Sequence, residues 1–316
     1  MQIIGRERVE QVLSPSKCLH LSRDAFALLS RGKVKQTLRS VIVSEQGSLM
    51  GTMPAYIEEG PYAGFGLKTV KVNFNRSDQR TSHEGFILLY DASSKRDIAL
   101  VDAASVTELR TAAASALATD ILAPENASRL AILGTGVQAK KHVQMMMEVR
   151  PFRHISIWGR SEVGTSAFAD WCRQHLDLSI TVTLTLTPAQ AVSDADIICT
   201  VTASKEPFIY SNDLPTHCHI NAVGASALGF QEIGPEVYAE VELYVDSKDA
   251  VWNASTCLLQ ARQQGFLSPD NMGTEIGELL TSGESSITLN PRRTLFKSVG
   301  LAVQDLVFAR AVLNQV

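Results

Sequence analysis

The sequence has no apolar run approaching the ~20 residues that cross a bilayer. Its longest stretch of small apolar residues, Thr111 to Ala123, is broken by Asp120. An excess of charge is also missing. Lys and Arg number 29 against 33 Asp and Glu, a formal net charge of −4. The basic residues are dispersed, which argues against the concentrated positive surface that nucleic acid requires. A paired-cysteine framework is absent too: Cys18, Cys172, Cys199, Cys218 and Cys257 are odd in number, far apart and form no CxxC. Reduced thiols in a reducing compartment are expected. His217-Cys218-His219 is the one cluster of metal-binding side chains. Adjacent residues on an extended segment point to opposite faces, so no metal is expected there. The first residues, Met1-Gln-Ile-Ile-Gly-Arg-Glu-Arg, carry no apolar leader segment. A cytoplasmic protein acting on a small molecule is expected, without nucleic acid or membrane as partner.

What is present is a chain of 316 residues, 45% hydrophobic and 20% charged, long for one core and suited to two domains. From Ser128 onward short apolar runs alternate with amphipathic stretches. Arg129 to Leu133, His154 to Trp158, Ile180 to Leu186, Asp196 to Val201, His219 to Val223 and Leu243 to Asp246 read as strands. Helices are predicted from the glycines at 134–136 to about Val149, over Glu162 to His175, and from Pro188. That alternation means a parallel, doubly wound sheet. The first 115 residues differ: strand-like runs cover Lys35 to Val43, Gly66 to Asn73 and Gly85 to Tyr90, with helix only at the extreme N-terminus and over Thr107 to Leu122. Past Pro291 an apolar helix, Val299 to Leu313, follows with no further nucleotide-type unit. The fold class is therefore α/β, a Rossmann doubly wound parallel sheet over 121–290 inserted in a split α+β domain, 1–120 completed by 291–316.

Gly134-Thr-Gly136-Val137-Gln138-Ala139 is GxGxxA directly after a predicted strand and opening a helix. The first glycine permits the tight turn, the second lets a pyrophosphate approach the backbone, and the alanine allows close helix–strand packing. An NAD-preferring site would place Asp or Glu at the end of the second strand, on the ribose 2′-hydroxyl. Here that position reads Trp158-Gly159-Arg160-Ser161. Arginine pairs with a 2′-phosphate and serine donates to it, so NADPH is expected, with NADH left open.

In the first domain single cations stand beside glycines or hydroxyls: Arg39 in a strand-like run, Lys68 in Gly66-Leu-Lys-Thr, and Arg110 in Thr107-Glu-Leu-Arg-Thr. Together with Ser82-His-Glu-Gly, Ile87-Leu-Leu-Tyr-Asp, Leu109-Arg-Thr-Ala-Ala-Ala, Ile132-Leu-Gly-Thr-Gly-Val-Gln-Ala, Ile220-Asn-Ala-Val-Gly-Ala and Thr294-Leu-Phe-Lys-Ser-Val-Gly, these segments resemble the ornithine cyclodeaminase/mu-crystallin family. The likeness covers nearly the whole chain in the right order. It implies homodimers, with the split domain serving both dimerisation and substrate binding. It also implies that Arg39, Lys68 and Arg110 hold a substrate carboxylate, with Met53 beside them among the substrate-binding residues. Arg110, Thr111, Gly134, Gly136, Val137, Gln138, Gly159, Arg160, Ser161, Val201, Thr202 and Lys297 match positions on the cofactor side.

One departure selects among the family's activities. Cyclodeaminases carry an aspartate two residues after the Asn-Ala-Val-Gly segment; here that position is Ser226. A serine hydroxyl is a poor general base without an activating neighbour. The resemblance therefore narrows to the ketimine and Δ1-pyrroline-2-carboxylate reductases, with Lys68, Arg110, His83 and Ser226 as the catalytic candidates. Water, Lys68 and His83 all remain open as proton donor. Alanine dehydrogenase-type reductive amination, cyclodeamination and a non-catalytic NADPH-linked binding role are the alternatives.

Overall fold

The computed structural model describes residues 1–45, 48–72, 83–93, 96–282 and 293–315, with the backbone alone at 83, 91–93, 96 and 97. The chain divides into two compact units, Met1–Arg110 with Leu301–Val316, and Thr111–Gly300.

In the first unit β1 (Gln2–Ile4), α1 (Arg6–Val12) and α2 (Pro15–Ser30) precede β2 (Val34–Gln36), β3 (Ser40–Val43), β4 (Leu49–Ile57), β5 (Gly64–Val72), β6 (His83–Ser93) and β7 (Arg96–Asp102). Helix α2 starts on a local signal: the Ser14 hydroxyl accepts from Lys17 N, and Pro15 takes the first turn. The sheet order is β1-β7-β6-β5-β4-β2, with β3 also on β4. Pairing is antiparallel throughout except for β1 on β7. Strand alternation sorts the side chains into two faces. Ile4, Val101, Ile87, Lys68 and Met53 lie in one register row, and all five are buried. Phe65, Phe86 and Tyr90 belong to the other face and are exposed. The buried face is covered by the C-terminal helix α10 (Ala302–Leu313), every residue of which is buried. The two approach so closely that a Cβ on Gly66 would stand 2.8 Å from Leu306 Cγ.

The run Lys35 to Val43 is not one strand. Gln36 pairs with Ala55, whereas Ser40 pairs with Thr52. The first strand thus carries one extra residue opposite a stretch containing Pro54, which has no N–H to donate. Arg39 sits in that irregular connection rather than in a strand. Its stem turns onto the buried side of β4, since a Cβ on Gly51 would lie 3.8 Å from Arg39 Cδ.

Helix α3 (Ala103–Leu122) begins four residues before the predicted Thr107, because Asp102 Oδ1 accepts from Ser105 N and caps the earlier start. Its far end is closed by a buried arginine. Arg150 donates to Thr119 O, Asp120 O, Ala123 O and Pro124 O at 2.7–3.0 Å, gathering carbonyls of the last helical turn and of the two residues just past it.

The second unit runs β8 (Arg129–Leu133), α4 (Val137–Met146), β9 (His154–Trp158), α5 (Glu162–His175), β10 (Thr181–Leu184), α6 (Pro188–Val192), β11 (Ile197–Thr200), β12 (Cys218–Ala222), β13 (Glu242–Val245), α7 (Lys248–Ala254), α8 (Thr256–Gln263), β14 (Thr274–Glu275), α9 (Ile276–Thr281) and β15 (Arg293–Lys297). Its strands are all parallel, in the order β10-β9-β8-β11-β12-β15-β13-β14. This is the expected doubly wound sheet, with one correction. The segment past Pro291 was read as helix alone, yet β15 fills the gap between β12 and β13. Five residues with Thr294 to Lys297 all buried show no periodicity that separates a covered strand from the start of a buried helix. All five cysteines are buried. Among the described residues no helix is long and apolar enough to cross a membrane.

Candidate active site

The strand order of the second unit reverses between β8 and β11, and in open α/β sheets ligands bind beyond the carboxyl ends of such strands. Gly134 and Gly136 follow β8; Val201 and Thr202 follow β11. Gly134 has φ +121°, and a Cβ there would meet Val201 O at 2.8 Å. Only glycine suits both the conformation and the approach. Gly136 starts α4 with no side chain capping the helix, and its Cβ direction meets nothing within 4 Å. An uncapped helix start with open space before it is where backbone N–H groups and the helix dipole favour a phosphate. The geometry therefore fits a dinucleotide. Val137 is exposed beside it, and Gln138 is half-buried. Arg160 is exposed just past β9. The Ser161 hydroxyl accepts from Gly164 N as the cap of α5, which leaves its own hydrogen to donate. Gly159 lies where a Cβ would strike Thr135 Cγ2 at 2.6 Å.

Two buried charges organise the loops at this edge, and neither role was legible in the sequence. Glu232 is 0% exposed and accepts from Thr200 Oγ1 (2.9 Å), Thr202 N (2.7 Å), Thr202 Oγ1 (2.7 Å) and Ala225 N (3.1 Å). It thereby ties the exit of β11 to the exit of β12. Gly224 must be glycine for the same reason: a Cβ would fall 2.3 Å from both Glu232 Oε1 and Thr202 O. Lys297, at the end of β15, is 0% exposed and donates to Ala222 O (3.1 Å) and Ala225 O (2.7 Å). The Ala225 peptide is thus held at its N–H by a glutamate and at its carbonyl by a lysine. Ser226, next along, is half-buried with its N–H on Gly224 O.

In the first unit the structure gathers the expected cations. Lys68 Nζ donates to Thr107 Oγ1 (2.7 Å) and to Asp305 Oδ1 (2.9 Å); Arg110 Nε donates to the same Asp305 oxygen (3.2 Å). Lys68 and Arg110 are 3% and 5% exposed. Met53 is the register partner of Lys68 across β4 and β5. Burial pushes the Lys68 ammonium down to about 8, the Asp305 charge opposing the fall and the Arg110 and Arg39 charges deepening it. Arg39, Met53, Lys68 and Arg110 are therefore neighbours, although they come from a loop, two strands and a helix. Asp305 and Thr107 were not anticipated. An acid within the apolar Leu301 to Leu313 stretch was the available signal for Asp305. His83 is placed by its backbone at the start of β6 opposite Val72, and its side chain lies outside the described residues. Thr111 opens the second unit one residue after Arg110.

A parallel sheet with a glycine turn at its point of reversal, in one chain with a mixed sheet carrying a buried cation cluster, defines a two-unit dinucleotide-binding α/β protein. More narrowly, the chain belongs to the ornithine cyclodeaminase/mu-crystallin family, whose model it matches over residues 2–316. It is 34% identical over 285 residues to the ketimine reductase mu-crystallin of Mus musculus, covering 89% of this chain and 85% of that protein. The structure of the Thermococcus litoralis Δ1-pyrroline-2-carboxylate reductase in complex with NADH and L-proline superposes with a TM-score of 0.92 at 28% identity, over 100% of this chain and 97% of that one. An archaeal alanine dehydrogenase dimer with bound NAD follows with a TM-score of 0.88 at 25% identity, over 99% and 95% of the two chains.

Proposed function

We propose that the chain is an NADPH-dependent reductase of a cyclic ketimine carboxylate, converting Δ1-pyrroline-2-carboxylate or Δ1-piperideine-2-carboxylate to L-proline or L-pipecolate. The carrying observation is the buried cluster of Lys68 and Arg110 on one Asp305 oxygen, with Arg39 beside it. Two cations on one carboxylate oxygen leave positive charge that a substrate carboxylate would neutralise, and charge-assisted hydrogen bonds of this kind are worth ~1.5–3 kcal/mol each. When bound, the nicotinamide supplies the hydride. The chain's own part is to hold the carboxylate, to cradle the pyrophosphate on Gly134, Gly136 and the start of α4, and to offer Arg160 and Ser161 to a 2′-phosphate. The imine takes a proton from water and is reduced as the iminium, whose carbon is the better electrophile. Ser226 supports reduction over cyclodeamination, because a serine hydroxyl is a far poorer base than the aspartate that amine oxidation and ring closure use.

The experiment is dinucleotide absorbance with the purified protein. We expect NADPH oxidation with one or both cyclic imines, a lower KM for NADPH than for NADH, and no comparable rate with pyruvate and ammonia or with ornithine and NAD+. Turnover of pyruvate or ornithine with inert imines would refute the assignment. NADPH binding without any turnover would favour a binding protein.

The outer face of the first sheet supports a homodimer. Phe65, Phe86 and Tyr90 are exposed there at 55%, 45% and 43%, forming an apolar face that a single chain leaves in water. A particle of twice 34.3 kDa is expected in solution, with Phe86→Glu shifting it to the monomer. Sedimentation equilibrium on both forms checks this, and a wild-type monomer at micromolar concentration would exclude the dimer.

A further inference from the structure

Three carboxylates that are 0–1% exposed differ in what they hold. Glu232 takes its four hydrogen bonds from hydroxyls and backbone N–H groups. Asp246 does likewise, accepting from Ser247 N, Ser298 Oγ, Val299 N and Gly300 N. Both tie loops together. Asp305 ties no loop: its Oδ1 accepts from the Lys68 ammonium and the Arg110 Nε–H, while its buried Oδ2 accepts no hydrogen bond among the described residues. A carboxylate kept for scaffolding would be saturated at this depth. This one is committed to two cations.

We propose that Asp305 is the positioning residue of the carboxylate site, its Oδ1 clamping the Lys68 ammonium and the Arg110 guanidinium into one fixed pair that receives the substrate carboxylate. The inference rests on the reading of these cations as carboxylate binders. Thr107 completes the arrangement. Its hydroxyl hydrogen is spent on Ala103 O (2.6 Å), so its oxygen accepts from Lys68 and leaves the ammonium one N–H for a ligand. The charged groups facing Lys68 are Asp305 from α10, Arg110 from α3 and Arg39 from the β2–β3 connection; β4 and β6 present the apolar Met53 and Ile87. Asp305 alone among them favours the protonated amine. Without it, burial and two arginines all drive Lys68 toward the neutral form, and carboxylate affinity becomes steeply dependent on pH.

The test uses pyrrole-2-carboxylate, an unreactive planar ring acid, titrated calorimetrically into the full-length protein from about pH 6 to about pH 10. Wild-type affinity should hold to about pH 8 and then fall ~10-fold per pH unit as one required proton is lost. Asp305→Asn should move that inflection down by at least ~1 pH unit, with affinity within ~3-fold of wild type at the acid end. Lys68→Arg, whose guanidinium does not titrate, should abolish the inflection. A uniform loss in Asp305→Asn with an unmoved inflection would overturn the proposal, as would an inflection that survives in Lys68→Arg. If Asp305→Asn is too unstable for calorimetry at pH 7, its thermal midpoint, or its folded fraction by circular dichroism, must rise as the pH goes from about 7 to 9.5, because neutralising Lys68 relieves the uncompensated charge; no rise refutes it. The probe needs no turnover, so these shifts are read even if no imine is reduced. Absence of probe binding at every pH overturns both the inference and the carboxylate-site reading beneath it.

Discussion

A Lys68→Met variant is expected to bind NADPH as the wild type does and to lose ~100- to 1000-fold in kcat/KM for the cyclic imine. The loss combines a charge-assisted hydrogen bond to the substrate with a buried Asp305 left facing the incoming carboxylate with one cation fewer, together ~3–4 kcal/mol. Methionine suits the position sterically, lying in the row of Met53 and Ile87 beneath α10, so the fold should survive. The variant also carries a stability signature. Folding lowers the Lys68 value from 10.5 to about 8, so between those values the unfolded chain holds more of that proton than the native one. Stability then rises with pH across that window, by an amount on the order of 3 kcal/mol. Lys68→Met should lack this rise. Steady-state kinetics, a dinucleotide titration and denaturant unfolding at pH 8 and above check the three parts. Unchanged turnover would remove Lys68 from the site.

Glu232→Ala should strongly destabilise the second unit. It leaves Thr200 Oγ1, Thr202 N, Thr202 Oγ1 and Ala225 N without their acceptor. Unsatisfied buried donors of this kind cost ~3–5 kcal/mol after partial relaxation. For a unit of this size that lowers the melting midpoint by roughly 10 °C. NADPH affinity should fall with it, since the loops after β11 and β12 lose the group that joins them. Glu232→Gln should lie between, because an amide keeps one acceptor oxygen and turns its NH2 against donors. Scanning calorimetry with and without NADPH reads both effects. If Glu232→Ala melts within a degree or two of wild type, water has replaced the carboxylate and the clamp is not structural.

The parts that were legible in the sequence are those whose causes are local. Strand β8, the glycine turn and α4 are written in eighteen consecutive residues, 129–146. Strand β9 and helix α5 fall at the residues read from periodicity, because apolar runs, a serine cap and glycine punctuation sit next to the elements they define. What was not legible has its cause elsewhere in the chain. Asp305 matters because of Lys68 and Arg110, 237 and 195 residues away. Arg150 closes a helix about 30 residues earlier. Glu232 serves threonines some 30 residues upstream. Buried polar groups leave no periodic trace, since their partners are chosen by the fold and not by their neighbours. Arg39 shows the intermediate case: its segment was recognised, but its aim depends on a bulge opposite Pro54 that only the pairing reveals.

The placement of β15 bears on how the protein is made. Although second to last among the elements, it stands inside the parallel sheet between β12 and β13, and α10 immediately after it supplies the cover for the mixed sheet. A chain emerging from the ribosome therefore presents two incomplete cores at once until β15, ending at Lys297, is out. One has an unfilled slot in its sheet; the other has an apolar face with no lid. The second unit waits for β15 and the first for α10, so both cores stay open while the preceding 292 residues are made. Its exposure to chaperones, proteases and self-association is concentrated in that interval, and a translational stop shortly before β15 would strand both units together.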